Sequence, residues 1–266
     1  MNSKNNYKKM SIIKTVKEGV CFLKLNRPEV FNSFNKDMAI SLQVELYACE
    51  NNDAIRAIVI IGEGKAFCAG QDLVEATDPN GPDMNSIVKY HYNPIIKKIR
   101  NIEKPIIAAV NGVAAGAGAN IALSCDIVIA SEKASFIQAF SKIGLIPDSG
   151  GTFFLPRLIG FQKASSLMIT GDKIPAKEAE EMNLIYKCIA DEEFHNYIAE
   201  FANKIGKMPT KGIGLTKRLL NQSMTNNLND QLDLEEQLQT EAGATEDFNE
   251  GVKAFKEKRK PTFKGK

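Results

Sequence analysis

Apolar and polar positions alternate in two short segments near the start of the chain, Ser11 to Val16 and Val20 to Leu25. A period of two sends successive side chains to opposite faces of a strand, and Lys17-Glu18-Gly19 between them supplies a turn, so the pair reads as a hairpin. The period then changes. From Asn35 to Cys49, Met38, Leu42, Leu46 and Cys49 recur at helical spacing, with Asn35 as the cap. Three runs carry no polar position: Ala57 to Ile61, Ile106 to Val110 and Ile127 to Ala130. Such runs suit strands covered on both faces. Helical patterns lie between them, around Ser86 to Ile102 and Ala117 to Ser124, and this alternation predicts an α/β core. After about residue 190 the strand pattern stops. Leu215 to Leu220, Gln231 to Glu241 and Glu246 to Glu257 read as amphipathic helices, and Leu232, Leu234, Leu238, Phe248, Val252 and Phe255 form apolar stripes that call for a partner surface. The expected division is a core over 1–200 and a helical C-terminal segment over 201–266.

Bulk composition narrows the class. A chain of 266 residues suits one large domain or one with a small appendage, and 44% hydrophobic with 25% charged residues is a soluble globular mixture. A net charge of +2 gives no global field for nucleic acid or a membrane surface, so neither is an expected partner. The five cysteines form no CxxC pair, which points to a reducing, intracellular setting. The opening MNSKNNYKKM is polar and basic with no apolar stretch after it, and no run approaches the roughly 20 residues that span a bilayer. A cytoplasmic location is the expectation.

Several chemistries drop out. The segment NGVAAGAGAN lacks the third glycine of a dinucleotide fingerprint, and no GK[ST] follows a glycine loop. With only His91 and His195, and no clustered Cys/His ligands, a metal site is not expected. There is no GxSxG elbow. Two strand exits rich in glycine and alanine remain, GKAFCAGQDL (Gly64 to Leu73) and NGVAAGAGAN (Asn111 to Asn120). Such turns either allow close strand–helix packing or leave backbone N–H groups free to hold an oxyanion. A third stretch, GLIPDSGGTFFLP, sets Asp148 between apolar runs. As Pro-Asp-Ser-Gly it is a turn with a capping residue. As an acid among Ile, Leu and Phe it has a raised pKa suited to taking and returning a proton.

The runs AFCAGQDL, KPIIAAVNGVAAGAGANIALSCDIVIA and FIQAFSKIGLIPDSGGTFFLPRLIG resemble the crotonase (enoyl-CoA hydratase/isomerase) superfamily over nearly the whole chain. QAFSKIGLIPDSGGT and QLDLE resemble its ring-1,2-epoxyphenylacetyl-CoA isomerase branch. The resemblance implies an α/β spiral of ββα units, a helical C-terminal segment that builds a homotrimer or a dimer of trimers, and an acyl-CoA thioester substrate. It places oxyanion donors at the backbone N–H groups of Gln71 and Ala117, and the working base at Asp148. The two acids of family hydratases fall at Asn120 and Phe140, neither of which can act as a general acid or base, so an isomerase is expected over a hydratase. No cofactor is expected, since coenzyme A belongs to the substrate.

The resemblance also sets Ala66 and Phe67 near the adenine of coenzyme A, with Ala69, Gly70, Asp72, Leu73 and Gly116 along the same loops. Tyr92 and Asn93 would overhang the acyl group, and Asn120 and Phe140 would border it. Packing roles for Phe67, Tyr92 and Asn93 stay open, as does a backbone role for Asn120. The tail cations Lys258, Arg259 and Lys260 would reach a coenzyme A phosphate or simply face solvent. The alternatives are a hydratase or thioester hydrolase drawing on Glu75 or Glu103, and a non-catalytic acyl-CoA or RNA binder.

Overall fold

The opening hairpin forms as the alternation predicts. Ile12–Lys17 and Val20–Leu25 pair antiparallel, and Glu18 and Gly19 turn between them with φ of +50° and +79°. Two consecutive left-handed residues match the twist of a two-residue hairpin turn. The computed structural model describes residues 10–266, so most of the polar N-terminal stretch read above lies outside the described residues.

The apolar runs then join this hairpin in parallel. The sheet order is Ile12–Lys17, Val20–Leu25, Ala57–Gly62, Ile106–Val110, Ile127–Ser131 and Lys187–Ile189. Every residue of Ala57–Gly62 and Ile106–Val110 is buried, which is why these runs carry no polar position. Their alternate residues serve two cores. Ile58, Ile60 and Ile106 meet Met38, Leu42 and Leu46 of the helix Lys36–Glu50. Val59, Ile61 and Ile107 meet Phe194, Ile198 and Ala202 of the helix Asp191–Gly206. The cap expected at Asn35 is present, its side chain accepting from Met38 N.

A second sheet runs Ala66–Cys68, Val113–Ala115, Ser135–Ile137 and Lys173–Pro175. Three times in succession a long strand turns a corner into one of these short strands and then into a helix. Ala57–Gly62 leads to Ala66–Cys68 and the helix Leu73–Ala76, and Ile106–Val110 to Val113–Ala115 and the helix Ala117–Ser124. Ile127–Ser131 leads to Ser135–Ile137 and the 3₁₀ turn Ala139–Ile143. These stacked ββα turns are the spiral the resemblance implied. The corners are tight: a Cβ at Gly62 would lie 2.1 Å from Ala66 O, and one at Gly112 would lie 2.1 Å from Lys65 O. Asn111 ties neighbouring corners together, accepting from Gly62 N and donating to Gly64 O, each at 3.0 Å.

The helix expected from Ser86 to Ile102 is interrupted. Met84–Ser86 begins it, Ile87–Tyr92 forms a π turn, and Asn93–Asn101 resumes the α-helix. Pro94 has no N–H to offer the carbonyl four residues back. Gln43 Nε2 serves that carbonyl instead, donating to Tyr90 O at 2.8 Å and to His91 O at 3.0 Å.

The chain ends in the helices Thr210–Ser223, Leu228–Gly243 and Glu246–Lys256. Leu232, Phe248 and Phe255 are exposed on them, Phe255 by 86%. The tail folds back onto the last helix, with Lys264 N and Gly265 N donating to the Asp247 carboxylate. No helix among the described residues is long and apolar enough to cross a membrane. No group of His, Cys, Asp or Glu among them is arranged to hold a metal ion.

Candidate functional site

Where the first two ββα units end, their loops meet beneath the π turn and enclose a cavity of about 230 Å³. Gly70 and Gln71 come from the first loop, Gly116 and Ala117 from the second, and Asp148 faces them from the loop before the helix Gly151–Ile159.

The backbone geometry of the two loops follows from their local pairing. Phe34 N donates to Gly70 O at 2.7 Å and Asp72 N donates to Phe34 O at 2.8 Å. Gly70 C=O and Asp72 N–H therefore face Phe34, and the N–H of Gln71 points the other way. Ala117 is the first residue of its helix, where an N–H has no intrahelical acceptor. Neither N–H has a hydrogen-bond partner among the described residues. Gly70 has φ +96°, and a Cβ there would lie 2.9 Å from Ala115 O and 3.6 Å from Ala117 N. Glycine is needed for the conformation and for the close approach alike. A Cβ on Gly118 would fall 2.7 Å from the Cys68 sulfur, so the second helix is pressed against the first loop. Close packing and free donors, the two readings of these loops, are both present.

Asp148 is not the helix cap. The capping position belongs to Gly150, with no side-chain bond. The backbone carbonyl of Asp148 accepts from Gly151 N at 2.9 Å and from Asn120 Nδ2 at 2.8 Å. Its carboxylate Oδ1 accepts from Ser149 Oγ at 2.9 Å. Burial pushes the Asp148 carboxyl pKa above its ordinary value, opposed by the Ser149 hydrogen bond, which favours the charged form. Among the described residues it is the only carboxylate lining the cavity.

The other acids are placed elsewhere. Glu75 accepts from Lys36 N at 3.0 Å and from Gln71 Nε2 at 3.3 Å, behind the lining. Glu103 pairs with Arg218, on the helix Thr210–Ser223. At the two hydratase positions, Phe140 lines the cavity, and Asn120 sits behind it, its Oδ1 accepting from Gln138 Nε2 at 2.8 Å.

The remaining residues named from the sequence divide by position. Ala69, Leu73 and Tyr92 join Gly70, Gln71, Gly116, Ala117 and Phe140 in the lining. Tyr92 is fully buried and does more than pack: its hydroxyl donates to Gln71 Oε1 at 2.7 Å. Burial raises its phenol pKa well above the ordinary value. Ala66 and Phe67 are buried in the short strand outside the lining. Asp72 caps the helix Leu73–Ala76 and pairs with Arg27 at 2.8 Å. Asn93 is exposed and lies outside the lining. In the tail, the Arg259 guanidinium is engaged by Glu250 and Glu257.

Sequence reasoning did not assign Ala76, Met84, Ile87, Ala139 or Lys142 to the site, and it read Ile143 and Leu145 only as the apolar run before Asp148; together these complete the wall. Their signal was faint: isolated apolar side chains, two alanines and one lysine, in short segments flanked by polar or glycine residues. A larger recess of about 520 Å³ lies by the last helix, lined by Phe248, Phe255 and Phe263. Its carboxylate, Asp247, is already taken by the backbone of the tail.

Comparison with known proteins places the chain in a family and matches its fold. A family model described as enoyl-CoA hydratase/isomerase matches residues 15–266. The 1,2-epoxyphenylacetyl-CoA isomerase of Escherichia coli (strain K12) is 46% identical over 96% of this chain and 98% of its own. The trans-2-decenoyl-[acyl-carrier-protein] isomerase of Streptococcus mutans is 36% identical over 96% of this chain and 98% of its own. The crystal structure of an enoyl-CoA hydratase from Bacillus anthracis superposes with a TM-score of 0.89, at 32% identity, covering 96% of this chain and all of that one.

Proposed function

The chain belongs to the enoyl-CoA hydratase/isomerase family, and from that premise we propose that it is an acyl-CoA isomerase working with one carboxylate and a backbone oxyanion hole. The observation that carries this reading is the lone carboxylate: Asp148 alone among the described residues brings an acid to the cavity wall. Adding water across a double bond calls for groups that position, deprotonate and deliver the water. Moving one proton between two carbons needs a single base that later acts as acid.

In this reading the thioester oxygen lies between Gln71 N–H and Ala117 N–H. These donors stabilise the enolate oxygen as charge develops on it, each contributing about 2.7–4 kcal/mol. Asp148 takes a proton from the carbon next to the carbonyl. With a 3-enoyl-CoA it returns the proton at C4, leaving the double bond conjugated with the thioester. With a ring 1,2-epoxide of phenylacetyl-CoA, the electron flow from the enolate opens the strained ring system toward the oxepin, and Asp148 returns the proton to a ring carbon, which keeps the composition unchanged and frees the base for the next turnover. The likeness to the Escherichia coli isomerase favours the ring substrate, and the apolar wall of Met84, Ile87, Phe140 and Leu145 suits a hydrocarbon acyl group. The thioester carbonyl supplies the acidity, so this route requires no metal or redox cofactor.

Turnover of a trans-3-enoyl-CoA beside hydration of crotonyl-CoA tests the reading. Isomerisation should exceed hydration by orders of magnitude. Comparable or faster hydration would put a hydratase first, with an acid that the cavity wall does not contain. The Gly70→Ala variant checks the donors. Its φ of +96° and the 2.9 Å approach to Ala115 O force the loop to shift. We expect kcat to fall about 100-fold, the cost of misplacing one oxyanion donor, with a much smaller change in KM. Unchanged kcat in a folded Gly70→Ala protein would remove the oxyanion role of Gln71 and Ala117.

A further inference from the structure

Ser149 holds an unusual position for a residue with a side chain. Its φ is +52°, in the left-handed region that favours glycine, and it is 1% exposed. Such a conformation costs of order 1–3 kcal/mol and persists where the surroundings require that residue. The neighbouring turn positions Gly144 and Gly150, also left-handed, do use glycine. Four of the other five non-glycine residues with positive φ are exposed, whereas Ser149 is buried beside an acid.

The hydroxyl donates to Asp148 Oδ1 at 2.9 Å, and no other side chain among the described residues donates to that carboxylate. The backbone of residue 148 is held independently. Its carbonyl is gripped by Gly151 N and by Asn120, whose own amide is set by Gln138. Removing the Ser149 hydroxyl would thus leave the carboxylate held only by the backbone N–H of its own residue, with the loop still anchored. We infer that Ser149 is a positioning residue, whose hydroxyl holds one oxygen of the Asp148 carboxylate and thereby sets the plane the other presents to the cavity. This deepens the proposed function and rests on Asp148 as its base. The same hydrogen bond favours the ionised form, working against the burial that disfavours it.

The test compares Ser149→Gly with the native full-length chain, and with Ser149→Ala as a second variant. Glycine relieves the left-handed strain, so Ser149→Gly should melt no lower than native, whereas Ser149→Ala keeps the strain. In both, kcat for a trans-3-enoyl-CoA should fall roughly tenfold with KM little changed, a partial loss of the 10²–10⁴-fold a positioned base contributes. The acid limb of kcat/KM should move to higher pH in both. A ¹³C NMR titration of aspartate-labelled protein reads the Asp148 carboxyl directly and needs no activity. It keeps this inference decidable even if Asp148 proves not to be the base. An Asp148 titration in Ser149→Gly that coincides with native overturns the inference, whatever the alanine variant does.

Discussion

Replacing Asp148 by asparagine should slow isomerisation by about 10²–10⁴-fold, the range a positioned general base contributes, while KM changes little. Asparagine keeps the shape and can still accept from Ser149 Oγ, so the loop held by Asn120 and Gly151 N stays in place. The variant loses only the ability to take a proton. Steady-state turnover of a trans-3-enoyl-CoA checks this, and activity within a few fold of native would mean the base lies elsewhere. The native pH profile carries a related expectation. The base acts ionised, and burial raises its pKa. The acid limb should therefore sit above the ordinary carboxylate range, with activity lost as pH falls through it. Stability runs the opposite way. A carboxyl whose folded pKa exceeds its unfolded one contributes stability at low pH, and that contribution is lost as pH rises through the folded pKa. Ionised Asp148 thus weakens the fold at neutral pH. Asp148→Asn should melt at the same temperature or higher there, and the gain should shrink toward acid pH.

The largest stability effect is expected far from the cavity, at Lys217. This lysine is 5% exposed in the helix Thr210–Ser223. Its ammonium donates to Ile99 O at 2.6 Å, to Lys104 O at 3.3 Å and to Asp126 Oδ2 at 2.7 Å. Asp126 in turn accepts from Arg100 at 3.1 Å and from Ile106 N at 2.8 Å. One buried cation therefore ties the end of the helix Asn93–Asn101, the start of the strand Ile106–Val110 and the C-terminal helices. Burial lowers the Lys217 pKa, resisted by Asp126. Lys217→Met fills similar space but leaves two carbonyls without this donor and a carboxylate with one cation fewer. Breaking a buried pair in this way costs roughly 3–5 kcal/mol. A denaturant midpoint lowered at constant m-value would confirm it. A loss below about 1 kcal/mol would show that Arg100 alone satisfies Asp126. Lys217→Arg should not restore the native midpoint, because a planar fork cannot reproduce three divergent bonds from one nitrogen.

Five strands of the large sheet were legible in the sequence, two as an alternating hairpin and three as apolar runs, whereas the three-residue edge strand Lys187–Ile189 was too short to show. Ile106–Val110 has the expected bounds, and Ala57–Gly62 exceeds them by one residue. The second sheet was not. Ala66–Cys68 and Val113–Ala115 hold three residues each, too few to show a period, and they lie inside stretches that read as glycine-rich loops. Asp148 stood out as a lone acid among apolar neighbours. The hydroxyl beside it did not, because Ser149 in Pro-Asp-Ser-Gly looks like any turn serine until its φ is seen. Tyr92 was noticed, but its bond to Gln71 spans 21 positions and depends on the helix irregularity between them. Met84 and Leu145 come from different segments and share a wall only once the spiral is wound.

That irregularity bears on which length changes the chain tolerates. A π turn holds one residue more than the α turn it replaces. Deleting one residue of Ile87–Tyr92 would close this wide turn to a regular α turn, leaving the two halves of the helix in nearly the same relative orientation. With Asn93–Asn101 anchored in the core through Ile95 and Ile99, the change would stay within the turn and reseat its own residues, among them Ile87 and Tyr92 of the cavity wall. The exposed stretch 77–80 has no such constraint. Insertions and deletions among descendants of this sequence should gather there and spare the turn, so that a one-residue gap at 87–92 marks a protein with a differently shaped acyl site.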